Sequence, residues 1–242
     1  MKRIMIINQI ILCFIFVTGC NRYHNNIEPS KNQKLISEIM TKNSQEATGA
    51  DKVLDDLMEG NNRYIKNNLI LRDLPVQVKA TASGQYPKAV ILSCIDSRVP
   101  VELVFDQGVG DLFVVRVAGN VENEDVLGSI EYSMGVAGSK LLIVLGHESC
   151  GAVKSAVNGL DVGSDNVTHL LNQIEPAILK VGGERDSKNK AYLTEVIKTN
   201  VKITIDDIRN RSNIVKQLEA DGKILIVGAY YNLHNGKVTL VK

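Results

Sequence analysis

Four mostly apolar runs, Ala89–Ile95, Leu112–Ala118, Leu141–Gly146 and Lys223–Tyr231, are separated by segments whose apolar residues recur at helical spacing. A strand that is apolar at nearly every position needs cover on both faces, which is the condition of a central strand in a parallel sheet. Alternation of such strands with helices predicts an α/β fold with a mainly parallel sheet of four strands, flanked by helices. Asn235-Gly236 is a two-residue hairpin signal, so Lys237–Val241 is expected to return antiparallel as an edge strand. Helices are expected over 51–67, where Val53, Leu54, Leu57 and Met58 share a face, over 100–106 behind Pro100, and over 123–137, with Val126, Leu127, Ile130 and Met134 on one side. Further helices are expected over 150–158, 166–181 and 190–219.

Functional groups of a parallel sheet gather beyond the carboxyl ends of its strands. Two short motifs stand there: Cys94-Ile95-Asp96-Ser97-Arg98 after the first run, and His147-Glu148-Ser149-Cys150 after the third. Two cysteines, a histidine and an aspartate make a four-ligand zinc set. Cys94 and Asp96, two apart at an extended strand end, point the same way. His147 and Cys150 are three apart across a strand-to-helix turn, so both can reach one point if the first and third strands are neighbours. Three firm ligands and one displaceable one are a catalytic arrangement. Asp96 on the metal would block the site, and Arg98 can hold it away through a bidentate, charge-assisted pair. The Asp96–Arg98 couple is therefore either the support for an open zinc or one half of a switch. Two thiolates and a neutral imidazole leave the ion formally neutral, so a bound water should have a pKa above the roughly 7 of a three-histidine zinc. A disulfide between Cys94 and Cys150 is the alternative in an oxidising compartment, but it leaves Asp96, Arg98 and His147 without a task.

The rest of the chain bounds the context. A net charge of +1 over 242 residues points away from nucleic acid, and 44% hydrophobic residues suffice for a sizeable core. Lys2 and Arg3 precede an apolar stretch over 4–17, and Val17-Thr18-Gly19-Cys20 looks like a bacterial lipobox. About 14 apolar residues are too few for the roughly 20 of a membrane-spanning helix. The expected organisation is a lipoprotein signal peptide over 1–19, a lipidated Cys20 with a polar tether over 20–50 (partly helical near 34–40), and a domain over 51–242. Cys13 would leave with the signal. This places the protein in the periplasm, held at the membrane through its lipid alone.

With these residues in view the chain resembles the β-class carbonic anhydrases, in their plant-type branch. The match is carried by Cys94-Ile95-Asp96-Ser97-Arg98, by Val114-Val115-Arg116-Val117-Ala118-Gly119-Asn120 and by Gly146-His147-Glu148-Ser149-Cys150-Gly151-Ala152-Val153, and it extends from about residue 51 to the C-terminus. The resemblance implies one Zn2+ per subunit on Cys94, His147 and Cys150, with Asp96 and Arg98 as a catalytic dyad. It implies that Gln85, Phe113, Val117, Tyr132 and the backbone of Gly151 bind substrate, in a pocket built by both members of a homodimer or larger homo-oligomer. The absence of tryptophan departs from the branch with a regulatory bicarbonate site, so an open resting state is expected. The implied reaction is reversible hydration of CO2 to bicarbonate and a proton by a zinc-bound hydroxide. A carbon disulfide or carbonyl sulfide hydrolase and a non-catalytic zinc protein are the rivals. His24, His169 and His234, the other histidines of the mature chain, read as surface residues rather than proton carriers.

Overall fold

The computed structural model describes residues 35–242. The signal segment, Cys13, Cys20 and His24 lie outside the described residues. The five-stranded sheet has the order β2-β1-β3-β4-β5, built from β1 (Ala89–Ser93), β2 (Leu112–Arg116), β3 (Leu141–His147), β4 (Leu225–Tyr231) and β5 (Val238–Val241). The first four strands are parallel, and β5 pairs antiparallel with β4 behind the Asn235-Gly236 turn, as the sequence predicts.

Every residue of β1 and β3 is buried, because successive side chains enter opposite helical layers. Ala89, Ile91, Leu141, Ile143 and Leu145 pack with Val53, Leu57, Val101, Val104 and Phe105, from α2 (Ala50–Ile65) and the short α4 (Val101–Val104) with the residue that follows it. Val90, Leu92, Leu142 and Val144 face Val126, Leu127, Ile130, Val201, Ile205 and Val215. These belong to α5 (Glu124–Glu131), α9 (Lys190–Arg211) and α10 (Asn213–Ala220). The close fit of α2 depends on Gly60, where an added Cβ would lie 1.9 Å from the Phe105 carbonyl oxygen. A third cluster gathers Cys94, Val121, Cys150, Val153, Ile174, Ile178, Val196 and Ile197. It draws on α6 (Gly151–Val157), α7 (Asp165–Asn172), α8 (Glu175–Val181) and α9, and it lies beyond the carboxyl ends of β1 and β3.

Several boundaries differ from the expectation. In the segment expected to be partly helical near 34–40, the described residues 35–40 form no helix, and Ile36 is bridged to Arg72. Within the stretch read as a tether, residues 42–47 form α1 (Lys42–Ala47). Gln45 is buried there, its amide donating to the Pro87 and Ala137 carbonyls at 2.7 and 2.9 Å. The helix expected over 166–181 is two, because Pro176 lacks the N–H that would continue it and instead opens α8. The helix expected over 190–219 breaks at buried Ser212, whose hydroxyl caps α10 at the Val215 N–H. Past Glu131, α5 continues as one π-helical turn, Tyr132–Val136. Together with α3 (Leu74–Thr81) and a 3-10 turn at Ala118–Asn120 these complete the helices among the described residues. None of them is long and apolar enough to cross a membrane.

Candidate metal centre

β1 and β3 are direct neighbours in register Ser93↔Leu145, so the residues after their ends meet. Cys94 follows β1 and His147 closes β3. The chain then turns back through Ser149, whose φ of 53° lies in the left-handed region that non-glycine residues seldom adopt. That turn returns Cys150 toward His147. The Sγ atoms of Cys94 and Cys150 are 3.9 Å apart, and with a His147 ring nitrogen all three donor atoms lie within 4.8 Å of one another. Cys94, His147 and Cys150 are 4%, 0% and 1% exposed.

These atoms fit zinc. Two sulfurs, each about 2.3 Å from a tetrahedral ion, stand about 3.8 Å apart, close to the separation seen. His147 Nδ1 lies 2.9 Å from the Glu148 carbonyl oxygen. That oxygen can only accept, so Nδ1 carries the hydrogen and Nε2 keeps its lone pair. Nε2 is buried with no hydrogen-bond partner, a cost that a metal ion removes. Neither cysteine is in a disulfide. The Cys94 thiol is held well below its ordinary pKa, chiefly by the hydrogen bond from Cys150, with His147 and the Gly119 N–H adding to it against the cost of burial. The same partnership, together with burial, pushes Cys150 up. A metal ion bound between the two sulfurs would favour both thiolates.

Neighbouring backbone is fixed around the sulfurs. The Gly119 N–H donates to Cys94 Sγ at 3.4 Å. Gly119 has φ 74°, and its carbonyl accepts from Asn200 of α9 at 2.8 Å. Arg116 Nε donates to the Cys94 carbonyl at 2.9 Å and Nη2 to the Asp96 carbonyl at 2.6 Å, so the end of β2 holds the loop after β1. Sequence reading gave Arg116 no task; its signal is the register Ser93↔Arg116, which only the sheet order reveals.

Asp96 does not join the donor cluster. Its Oδ1 accepts from the Arg98 backbone N–H and Nε, both at 2.9 Å, and its Oδ2 accepts from Nη2 at 2.7 Å. Those bonds hold its carboxyl well below the usual carboxylate range, against partial burial. Oδ2 nevertheless stands only 3.8 Å from His147 Nε2. Asp96 paired with Arg98 fits both readings of the couple, the support for an open zinc and one state of a switch.

A cavity of about 540 Å³ opens beside the cluster. Cys94, Ile95, Asp96, Ala118, Gly151 and Ala152 form its metal side, while Leu160, Val167, Leu170 and Leu171 form the far wall. Of the residues assigned to substrate, Gly151 alone borders it. Val117 packs between the second and third core clusters. Phe113 and Tyr132 meet edge-on, centroids 6.4 Å apart, and line a separate cavity. Gln85 is exposed on the surface. His169 contacts Gln173 at 3.3 Å, and His234 is 75% exposed, 3.3 Å from Glu148; neither borders the cavity. Ile95 and Ala118 stand inside the quoted motifs but were given no pocket role, and Leu160 and Val167 were missed because α7 and its preceding loop carry no motif.

Comparison with known proteins agrees with this site. The family model described as carbonic anhydrase matches residues 89–238. Carbonic anhydrase 2 of Mycobacterium tuberculosis is 39% identical over 188 residues, covering 76% of this chain and 89% of its own. The carbonic anhydrase of Mycolicibacterium smegmatis is 39% identical over 191 residues, with the same coverages of 76% and 89%. Among solved structures, a β-carbonic anhydrase of Sordaria macrospora, described as tetrameric, superposes with a TM-score of 0.62 at 19% identity, over 79% of this chain and 95% of that one. A Coccomyxa β-carbonic anhydrase gives 0.61 at 21% identity, over 79% and 82%.

Proposed function

This chain belongs to the carbonic anhydrase family, β class, and from that membership we propose how its own residues carry out the reversible hydration of CO2 to bicarbonate and a proton. The activity is that of a lyase. The observation that carries the reading is the buried Cys94–His147–Cys150 donor set with its unpartnered imidazole nitrogen, open on one side to an apolar cavity.

Cys94 Sγ, Cys150 Sγ and His147 Nε2 would hold one zinc ion per subunit. Zinc there supplies Lewis-acid activation of a water molecule. The Asp96 carboxylate, fixed by Arg98, accepts a hydrogen bond from the attacking oxygen and so turns a lone pair toward the carbon. Asp96 is kept ionised for this by the two guanidinium bonds. Arg98 also keeps the carboxylate from closing the fourth position. Ile95, Ala118 and Ala152 offer an apolar surface to a small linear substrate, and Gly151 on the cavity wall could offer its backbone N–H to the substrate's oxygens. The water gives its hydroxyl to the carbon and its proton to solvent.

The assembly is a homodimer or a multiple of one. Gln85, Phe113 and Tyr132 lie away from this chain's own cluster, and Tyr132 is 53% exposed, so a substrate contact from them is made at a partner's cluster. The N-terminal reading is a lipoprotein: cleavage before Cys20, acylation of its thiol, and a periplasmic enzyme tethered to the membrane. Intact mass of the N-terminal peptide from membrane fractions, with Cys20→Ser as control, tests it; an unmodified Cys20 ends it.

The activity test is stopped-flow CO2 hydration by the zinc-loaded protein across pH 7–9, with carbonyl sulfide in competition. Turnover rising toward pH 9 is expected. No hydration at pH 9 in a zinc-replete sample would favour an inert zinc protein.

A further inference from the structure

The zinc histidine is oriented by a backbone carbonyl, and that carbonyl belongs to a residue whose side chain is itself tied down. Glu148 N–H donates to the Tyr231 carbonyl at 2.8 Å, extending the β3–β4 pairing by one residue. Glu148 Oε2 accepts from the Leu233 N–H at 3.1 Å, and Oε1 stands 3.3 Å from His234 Nε2. The carboxylate is mostly buried, at 18% exposure. Both contacts come from the turn between β4 and β5, far from the metal motifs in sequence.

That turn is a rigid platform. Buried Asn61 of α2 donates from Nδ2 to the Gly236 carbonyl at 2.9 Å and accepts the Val238 N–H on Oδ1 at 2.8 Å. Gly236 lies so close to Tyr64 that an added Cβ would meet its ring at 2.8 Å. The next residue along the metal loop, Ser149, holds the strained φ of 53° that the return of Cys150 requires. A loop with such a bend keeps it only where its surroundings fix it.

We propose that Glu148 is a positioning residue for zinc: through its hydrogen bond from the β4–β5 turn it fixes the peptide whose carbonyl orients His147 and from which the chain turns toward Cys150. Its carboxylate touches neither metal nor substrate. Outer partners of metal ligands typically matter by 10–100-fold in affinity, and Glu148 acts one link further out.

This inference rests on the zinc reading above, so the experiment measures metal rather than turnover. Zinc affinity is read by chelator competition in wild type, Glu148→Ala, Glu148→Asp and Glu148→Gln, alongside the melting temperature of each metal-free form. Glu148→Ala should bind zinc about tenfold more weakly. Glu148→Asp, which keeps the charge but withdraws it by one methylene, should lose several-fold. Glu148→Gln keeps an acceptor for the Leu233 N–H and should stay within about twofold of wild type. A purely structural role would lower the metal-free melting temperature and leave zinc affinity alone, which overturns the proposal. Unchanged affinity in Glu148→Asp overturns it even if Glu148→Ala does not fold. Wild-type protein that binds no zinc would instead end the reading on which this one rests.

Discussion

Two buried polar clusters sit at different places in this fold, and they are finished differently. Around Asp106, just past α4, the carboxylate's partners are all in place, although the neighbouring Gln107 keeps a buried Oε1 with no partner. Its carboxylate accepts from Arg63 Nε at 2.5 Å, Arg72 Nη1 at 2.6 Å and the Ile70 N–H at 3.2 Å, while its carbonyl accepts from Arg72 Nη2. Around His147 the imidazole has one nitrogen satisfied and the other buried and bare. A closed network fixes loops. A network left one partner short, and surrounded by soft donors, is shaped for something that arrives later. A bare atom alone does not mark such a site, since Glu122 Oε2 and Gln107 Oε1 are also buried without partners; what sets His147 apart is the two thiols converging on the bare nitrogen.

The sharpest way to break that contrast is Cys150→Ser. Zinc stabilises whatever state binds it by mass action, so wild type should melt far higher with zinc than without, and Cys150→Ser should lose most of that difference along with activity. Metal-free wild type and Cys150→Ser should unfold within about 1 kcal/mol of each other, because the site adds little of its own until it is filled. Thermal melts with and without a chelator decide it. A variant that keeps the zinc-dependent rise in melting temperature would show the sulfur is dispensable.

The complementary change is Asp106→Ala. Removing one member of a buried ion cluster strands the others, at about 3–5 kcal/mol. Urea unfolding should show that loss, while the folded fraction still binds zinc at one per chain with wild-type affinity. A fall in zinc affinity matching the fall in stability would mean the two clusters are not independent.

What the residues revealed in advance follows the same division. Cys94, Asp96, Arg98, His147 and Cys150 were legible because chemistry rare in cores recurs at strand ends, and parallel pairing follows from uninterrupted apolar runs, while the order that sets β1 beside β3 stood only as a condition until the sheet was seen. The antiparallel edge was legible from Asn235-Gly236. Partners fixed by register or by distant packing were not. Arg116 meets the Cys94 loop only because β2 is the outer neighbour of β1. Gln45 looks like linker composition until its amide is seen bridging Pro87 and Ala137. The cavity wall at Leu160 and Val167 comes from a loop and helix whose apolar residues read as ordinary packing.

Asp96 stands at the border of the two clusters' behaviour, and its acid response gives the smallest and most specific effect. Its carboxyl titrates below its unfolded value because Arg98 hydrogen-bonds the charged form. A depressed folded value means the unfolded chain binds the proton first, so the Asp96–Arg98 contribution is complete above about pH 4 and fades as pH falls from there toward the folded value. Arg98 is 55% exposed, so the contribution is at most about 1 kcal/mol. Urea midpoints of metal-free wild type and Asp96→Asn should differ by a constant amount from pH 7 to pH 5 and converge below pH 4. Zinc content at pH 7 should be the same in both, while hydration turnover falls in Asp96→Asn. Convergence with turnover intact would leave Asp96 as one more closed structural pair, like Asp106, rather than the group that steers the attacking oxygen.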